Sequence, residues 1–305
     1  MRVTALAQQQ FILDQIKNLQ GRIAQKNISI TSGVNAQRYS GISEYSKRLV
    51  NLEATHVSLS RFSQNNTIID QRLQTMETNV SQLGEIASDF RTQLISAINA
   101  GNAPVSGIDV LAQNLIAQVS SILNVSVDGR FLFSGSKTNT APVDLNDAAF
   151  LVPPSAYPST ADVNYYQGDQ QILSIRADTD LTINYGVTAD DPAIEKLIRT
   201  LHLVATAVVA PVPDLARLQE ALRLGEEAAN ELPLIVAGIG AARKGLETAN
   251  AVHAETLLYT EQTIGDLANT DLAEAITLLT ADQSSLEASF AALAQMRSIS
   301  LLNFL

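Results

Sequence analysis

Residues 69–94 read IDQRLQTMETNVSQLGEIASDFRTQL, and apolar side chains recur in this stretch at alternating intervals of four and three residues. That spacing puts them on one face of a helix, and its persistence over several heptads is typical of a coiled coil. We predict a long helix from residue 42 to about residue 100, whose seam packs against another helix of the same chain. The seam residues are Ile69, Leu73, Met76, Val80, Leu83, Phe90 and Leu94, with Ala87 in the remaining position.

The N-terminal segment carries a second apolar stripe. Its spacing is again helical, and polar side chains occupy the positions between, so an amphipathic helix is expected over residues 3–31. Small residues and a glycine at residues 31–33 end this pattern. The stripe consists of Leu6, Leu13, Ile16, Ile23 and Ile30.

The C-terminal segment carries a third stripe, which continues to the final residue, Leu305. Chain ends are usually polar, so an apolar end indicates that protein covers it, either the N-terminal helix or a neighbouring copy. We expect the apolar residues of both ends to make intersubunit contacts. These residues are Leu6, Leu13, Ile16, Ile23, Leu279, Leu286, Phe290, Leu293, Leu301, Leu302, Phe304 and Leu305.

The middle of the chain has a different period. Between residues 127 and 190 the apolar residues alternate with polar ones, most clearly at 173–177 and 181–185, and the pair Asp128-Gly129 is a turn signal. A small β-rich insertion is therefore expected. Helical spacing returns after Pro192, and Pro233 either kinks a later helix or starts a fresh one.

These patterns together predict a mainly α fold. It is a long antiparallel helical coiled-coil bundle, formed by the N- and C-terminal segments, with a small central β-rich insertion. Five segments are expected: an N-terminal assembly helix at 1–40, a long helical bundle segment at 41–130, the β-rich insertion at 131–190, a returning bundle segment at 191–265 and a C-terminal assembly helix at 266–305.

Composition excludes several classes of function. The formal net charge of -11 and pI near 4.7 argue against a nucleic-acid partner, because phosphate binding needs clustered Lys and Arg. With no cysteine there is no disulfide framework and no thiolate site. The N-terminus lacks the apolar core of a Sec-type signal, and the longest apolar runs are too short to span a bilayer.

Catalytic, cofactor and metal sites are not expected. Each of the histidines, His56, His202 and His253, lies in a helical stretch without a second histidine at ligand spacing. Residues 134–137 (SGSK) match the SxxK pattern of serine β-lactamases, but the companion KTG and SDN motifs are missing. Residues 135–138 (GSKT) also lack the glycines of a phosphate-binding loop.

Several short segments resemble the flagellin family, most closely its hook-filament junction members. At the C-terminus these are residues 271–277 (DLAEAIT), 286–289 (LEAS) and 301–305 (LLNFL). Residues 131–138 (FLFSGSKT) resemble the stretch after the N-terminal helices of the junction proteins, and residues 166–169 (YQGD) resemble an early turn of their insertion.

One segment departs from the family pattern. Where many members have a Ser-Gly-Lys turn followed by paired aspartates, this chain has TSGVNAQRYSG at residues 31–41. That loop therefore does not discriminate between a junction protein and a flagellin.

The resemblance implies a secreted protein of the extracellular bacterial flagellum, exported unfolded through the flagellar type III channel. It implies that the terminal helices pair in a homo-oligomeric ring or helical array. The implied partners are another hook-associated protein, flagellin and an export chaperone that binds the C-terminal region.

Three alternatives remain open at the level of sequence. The first is a flagellin with a short outer domain, which would share the architecture. The second is an enzyme on a flagellin-like scaffold, with its chemistry in residues 127–190. The third is a cytoplasmic signalling coiled coil, which should have charged rather than apolar termini.

Overall fold

The computed structural model describes residues 2–34, 45–99, 107–145, 150, 156–207 and 214–302. Over these residues the chain is mainly helical, with two short antiparallel strand pairs. The expected mainly α fold is confirmed, and the described part of the predicted β-rich insertion contains one antiparallel strand pair, with loops over most of its length. The elements in chain order are α1 (Arg2–Ser32), α2 (Ser46–Asn99), α3 (Ile108–Leu123), β1 (Ser126–Val127), β2 (Arg130–Phe131), β3 (Leu173–Arg176), β4 (Thr182–Tyr185), α4 (Pro192–Ala205), α5 (Leu215–Ala268) and α6 (Leu272–Leu302).

The chain divides into two compact units. The terminal unit comprises Met1–Ser58 and Glu255–Leu305, and the central unit comprises Leu59–Ala254. Helices α2 and α5 each contribute to both units. The terminal unit therefore contains α1, α6, the start of α2 and the end of α5, whereas the central unit contains the strands, α3 and α4.

In the terminal unit, α1 and α6 lie antiparallel and pack on each other. Helix α1 ends where the sequence predicts, because Gly33 adopts a left-handed φ of 74° and donates its N–H to Ser29 O. Asp271 caps α6, since its carboxylate accepts from the N–H groups of Ala273 and Glu274. The hydrogen bond from Thr270 N to Gly33 O, 2.9 Å long, joins the two helix ends.

In the central unit, α2 and α5 also run antiparallel. Arg243 of α5 bridges two acidic residues of α2, with Nε 2.9 Å from Asp70 and Nη1 2.6 Å from Glu77. The α5 helix continues through Pro233, so this residue does not start a new helix. Its side chain lies on the exposed side of α5.

The strand pairs follow the turn chemistry of the sequence. Asp128 and Gly129 both have positive φ, 53° and 72°, which suits the two-residue hairpin turn between β1 and β2. Strands β3 and β4 pair antiparallel, with Leu173 opposite Tyr185. Helix α4 begins at Pro192, as predicted, and the Asp191 carboxylate accepts from Ala193 N at 2.9 Å.

Two buried charged side chains, Arg199 of α4 and Glu220 of α5, bind the loop at Ser159. The Glu220 carboxylate accepts from both the backbone N and the hydroxyl of Ser159, at 2.8 and 2.9 Å, and forms a two-pronged pair with Arg223. Arg199 donates to Ser159 O at 2.6 Å. The Arg223 guanidinium, together with the Ser159 donors, lowers the pKa of Glu220 to about 2.

This depressed pKa predicts acid sensitivity. A carboxylate whose pKa is lower in the folded than in the unfolded state stabilises the fold above its unfolded pKa, and this contribution disappears as pH falls toward the folded pKa. Relative to Glu220→Gln, the wild-type chain should be more stable by about 3 kcal/mol at pH 7, and the difference should vanish between about pH 5 and pH 2. Urea unfolding of both proteins across this pH range measures the difference in their free energies of unfolding.

Glu247→Gln is the matched control. Glu247 pairs with Lys244 one turn away, but both side chains are largely exposed, at 70% and 72%. Solvent screens such a pair, so the control should change stability little at any pH. Equal pH profiles for both variants would contradict the role assigned to Glu220.

Candidate functional site

The predicted seam of α2 is buried within one chain. All of its members, from Ile69 to Leu94, are less than 9% exposed and belong to the core of the central unit. Helix α5 presents buried residues at the same four-three spacing, and they include Leu232, Ile239 and Leu246. Matching stripes on two antiparallel helices are what a seam within the chain requires; the coiled-coil assignment itself stays a prediction.

The terminal helices face each other with a similar pattern. On α1 the least exposed side chains include Ile16 and Leu19, at 6% and 8%, and Ile23 is half-buried. On α6 the inward-facing positions recur every four and three residues: Ala275, Leu279, Asp282, Leu286, Ser289 and Leu293. This stripe is therefore covered, at least in part, by α1 of the same chain.

The residues expected to contact other subunits consequently fall into separate groups. Ile16, Ile23, Leu279, Leu286 and Leu293 lie on the stripe where α1 and α6 meet.

The second group points away from that stripe. Leu13 is 37% exposed and Phe290 is 46% exposed. The structure describes no side chain for Leu6, Leu301 or Leu302, and Phe304 and Leu305 lie outside the described residues.

Further apolar side chains of the terminal helices are exposed, and the sequence patterns alone had not separated them from the covered stripe. On α6, exposed apolar side chains therefore lie outside the stripe that α1 covers. The exposed apolar set of α1 and α6 comprises Phe11, Leu13, Ile28, Leu272, Ile276, Leu278 and Phe290.

Leu19 and Ala275 contribute to the covered stripe but were not among the residues singled out from the sequence. Leu19 lies three residues after Ile16 and four before Ile23. The heptad spacing was therefore the signal that would have found it.

The two motifs of the central region, residues 131–138 and 166–169, meet in space and form an interlocked loop. The Asp169 carboxylate accepts from the backbone N and the hydroxyl of Ser136, at 2.8 and 2.5 Å. Lys137 donates to Gly168 O at 3.1 Å, and Asp169 N donates to Ser134 O at 3.2 Å. The hydrogen bond from the Ser136 hydroxyl is the largest of several effects that lower the pKa of Asp169.

This arrangement accounts for the SGSK segment without catalysis. The Ser134 side chain is buried and bonds weakly to Phe131 O, at 3.5 Å. The Lys137 ammonium is directed to Gly168 O. The serine and lysine of the apparent SxxK motif therefore have different structural partners.

Two glycines allow the loop segments to approach this closely. A Cβ at Gly135 would lie 2.2 Å from Asp169 O, and a Cβ at Gly168 would lie 2.3 Å from the Tyr166 hydroxyl and 2.6 Å from Ser134 O. Gly135 also has a left-handed φ of 67°. Both positions thus exclude any side chain.

Gly135→Ala should destabilise the chain by more than backbone strain alone explains. Gly129→Ala is the control, because Gly129 has a similar φ of 72° but nothing within 4 Å of its Cβ position. We expect the control to cost about 1–2 kcal/mol and Gly135→Ala to cost at least about 2 kcal/mol more. Urea unfolding of both variants tests this, and equal losses would show that the loop yields to a methyl group.

The histidines pack in separate surroundings. His253 is 1% exposed, stacks near Phe62 and has Nε2 3.5 Å from Asp178. His202 packs against Phe150, and burial lowers its pKa.

His56 Nδ1 lies 3.2 Å from the Thr260 hydroxyl. Among the residues that the structure describes, no group of three or more potential His, Cys, Asp or Glu ligands is placed to hold a metal ion. No described helix is both long enough and apolar enough to cross a membrane.

Solved structures of flagellar hook-associated proteins share this fold. A protein from Vibrio parahaemolyticus that is described as a flagellar hook-associated protein is 19% identical with a TM-score of 0.59, and the match covers 73% of this chain and 97% of that one. FlgL from Bacillus cereus is 14% identical with a TM-score of 0.56, and the match covers 72% of this chain and 99% of that one. Hook-associated protein 3 from Legionella pneumophila is 16% identical with a TM-score of 0.53, and the match covers 74% of this chain and 98% of that one.

At these identities the likeness concerns the fold, and it extends over almost the full length of each of those chains. The fold implied by the resemblance to the hook-filament junction proteins is thereby confirmed. No protein-family model matches the sequence, and no curated protein matches it.

Proposed function

We propose that this chain is a structural subunit of the bacterial flagellum that joins the hook to the filament. The observation that carries the proposal is the shared fold with hook-associated proteins over at least 97% of each of three solved chains. The short motifs at residues 131–138, 166–169 and 271–277 also support it, because their resemblance to the junction proteins lies in the sequence itself. The subunit acts by packing and not by catalysis.

Assembly uses the terminal helices in two ways. The stripe between α1 and α6 holds each chain's own ends together, and the exposed apolar set faces neighbouring subunits. Burying a Phe or Leu side chain contributes about 1.5–3 kcal/mol, so several such contacts suffice to hold a subunit in place. Contacts between unlike surfaces produce a ring or a helical array rather than a closed dimer.

The last apolar residues belong to the same interface in this proposal. They are Leu301, Leu302, Phe304 and Leu305, and Leu6 lies near the opposite end of the chain. Leu13 and Phe290 continue the surface along α1 and α6, since both remain exposed in the single chain. Ile16, Ile23, Leu279, Leu286 and Leu293 then serve mainly the pairing within the chain.

The central unit carries the remaining segments of the subunit. Its α2 seam, from Ile69 to Leu94, pairs with α5 as an intramolecular coiled coil, and the unit includes the β-rich insertion of residues 131–190. In the sequence, the bundle segments at 41–130 and 191–265 separate this insertion from the assembly helices at 1–40 and 266–305. The buried stripes of α2 and α5 support this division.

The partners follow from the position in the flagellum. Copies of the chain form the ring or array, and another hook-associated protein and flagellin occupy its two ends. An export chaperone binds the C-terminal region before secretion, and the assembled protein is extracellular. The exposed apolar residues of α6, including Ile276 at 52%, support a need for cover at each of these stages.

Phe290→Asp should prevent assembly without unfolding the subunit. Phe290 is exposed in the single chain, so the carboxylate meets water in the monomer but would be buried in the proposed interface, which is strongly unfavourable. We expect a secreted, helical protein that does not enter flagella. Circular dichroism of the purified protein and immunoblots of isolated flagella measure the two properties.

Ile68→Asp is the control for this substitution. Ile68 is 45% exposed, against 46% for Phe290, and it lies in α2 of the central unit. This variant should assemble normally. Wild-type incorporation of the Phe290→Asp subunit would rule out the exposed side of α6 as an interface.

Deleting the gene separates a junction protein from a flagellin. For a junction protein, cells should retain hooks, lack filaments and release flagellin into the medium, because filament subunits have nothing to polymerise on. Electron microscopy of the cells and immunoblots of the supernatant give the readout. Loss of the main filament protein itself would instead identify the chain as a flagellin with a short outer domain.

A further inference from the structure

The buried seam of α2 contains a polar residue. Asn66 lies three residues before Ile69 and continues the four-three spacing, yet it is 0% exposed. The corresponding stripe of α5 also turns polar at this level, where His253 follows Ala249 by four residues and is 1% exposed. Two polar side chains thus replace apolar ones at the same end of the paired stripes.

Asn66 connects three elements of the central unit. Its amide Nδ2 donates to Asn250 Oδ1 of α5 and to Ala177 O, each at 3.0 Å. Ala177 is fully buried and begins the turn that joins β3 to β4. Both amide donors of Asn66 are therefore used, one by α5 and one by the hairpin.

A second contact reinforces the link between the hairpin and α5. Asp178, the residue after Ala177, has a carboxylate oxygen 3.5 Å from His253 Nε2. Ile183 of β4 packs against Gly245 of α5, where an added Cβ would lie 3.0 Å from Ile183 Cδ1. The hairpin thus rests on α5 at two places.

The two helices keep one alignment along the pair. Asn66 and Gly84 are 18 residues apart in α2, and their partners Asn250 and Leu232 are 18 residues apart in α5. Apolar stripes with a seven-residue repeat do not specify this alignment, because a shift of one heptad again brings apolar residues together. Such a shift would leave the donors of Asn66 buried without their acceptors, which is unfavourable.

We propose that Asn66 sets the register of α2 against α5 and docks the β3–β4 hairpin on that register. The Asn66 Oδ1 atom is buried without a hydrogen-bond partner among the described residues, so this side chain is not optimised for stability. A polar residue in an apolar seam specifies alignment at some expense of stability. The hairpin is therefore correctly placed only when the helices are correctly aligned.

Cysteine pairs test the register directly, because the chain has no cysteine of its own. In the observed alignment a Cβ at Gly84 lies 3.9 Å from Leu232 Cβ, which is within the range of a disulfide. The pair Gly84→Cys with Leu232→Cys therefore reports the native register. The pair Gly84→Cys with Ile239→Cys, one heptad away, reports a shifted register.

Each pair is combined with Asn66→Leu or with the control Asn65→Leu, the same substitution at the neighbouring exposed position. In the control, only the native-register pair should oxidise. In Asn66→Leu, we expect an unchanged or higher melting temperature, oxidation of the shifted pair, and hydrogen exchange about tenfold faster at the hairpin amides. Ala177 and Asp178, which donate to Leu181 O, are the amides to follow.

Two results would overturn the proposal. If both the disulfide pattern and the hairpin exchange of Asn66→Leu match the control, the polar layer has no such role. If only the hairpin exchange rises, Asn66 is a hairpin contact and does not set the register. Should Asn66→Leu fail to fold by circular dichroism, Asn250→Ala removes the acceptor on α5 instead, and the same two readouts decide.

Discussion

The structure depends on covering apolar stripes that no single helix can bury alone. Helices α2 and α5 carry matching buried residues at heptad spacing, and α1 and α6 repeat this arrangement in the terminal unit. Because the hydrophobic effect scales with the apolar area removed from water, burial of these stripes stabilises each unit. In the central unit, buried residues of α4, such as Leu197 and Leu201, and of the loops, such as Tyr165, add to the same core.

The two pairs differ in how completely they are covered. In the central unit the α2 stripe is enclosed, and residues such as Leu73, Val80 and Leu83 are fully buried. In the terminal unit α1 covers one side of α6, and Phe290 and Ile276 remain about half exposed. A half-covered helix pair leaves apolar surface available to a further partner, as the proposed assembly requires.

Polar contacts add specificity that apolar packing lacks. The Asp169 carboxylate holds the loop at Ser136, the Glu220 carboxylate holds Ser159, and the Asn66 amide connects α2, α5 and the hairpin. Each of these hydrogen bonds forms only where the donor and acceptor are correctly placed, because hydrogen bonds depend on distance and direction. The apolar stripes thus bring the helices together, and these polar groups fix the positions of the loop, the hairpin and the paired helices.

Local patterns were enough to predict the element types. Apolar spacing identified the helices, alternation identified β3 and β4, and Asp128-Gly129 and Pro192 marked a turn and a helix start, since each effect acts within a few residues. Pairings between distant residues required the tertiary structure. Spacing cannot tell which of several apolar sides of α6 faces α1, or that the loop at Ser136 meets Asp169 further along the chain. Those choices arise from the summed packing and hydrogen bonding of the folded chain, in which residues far apart in sequence compete for the same neighbours.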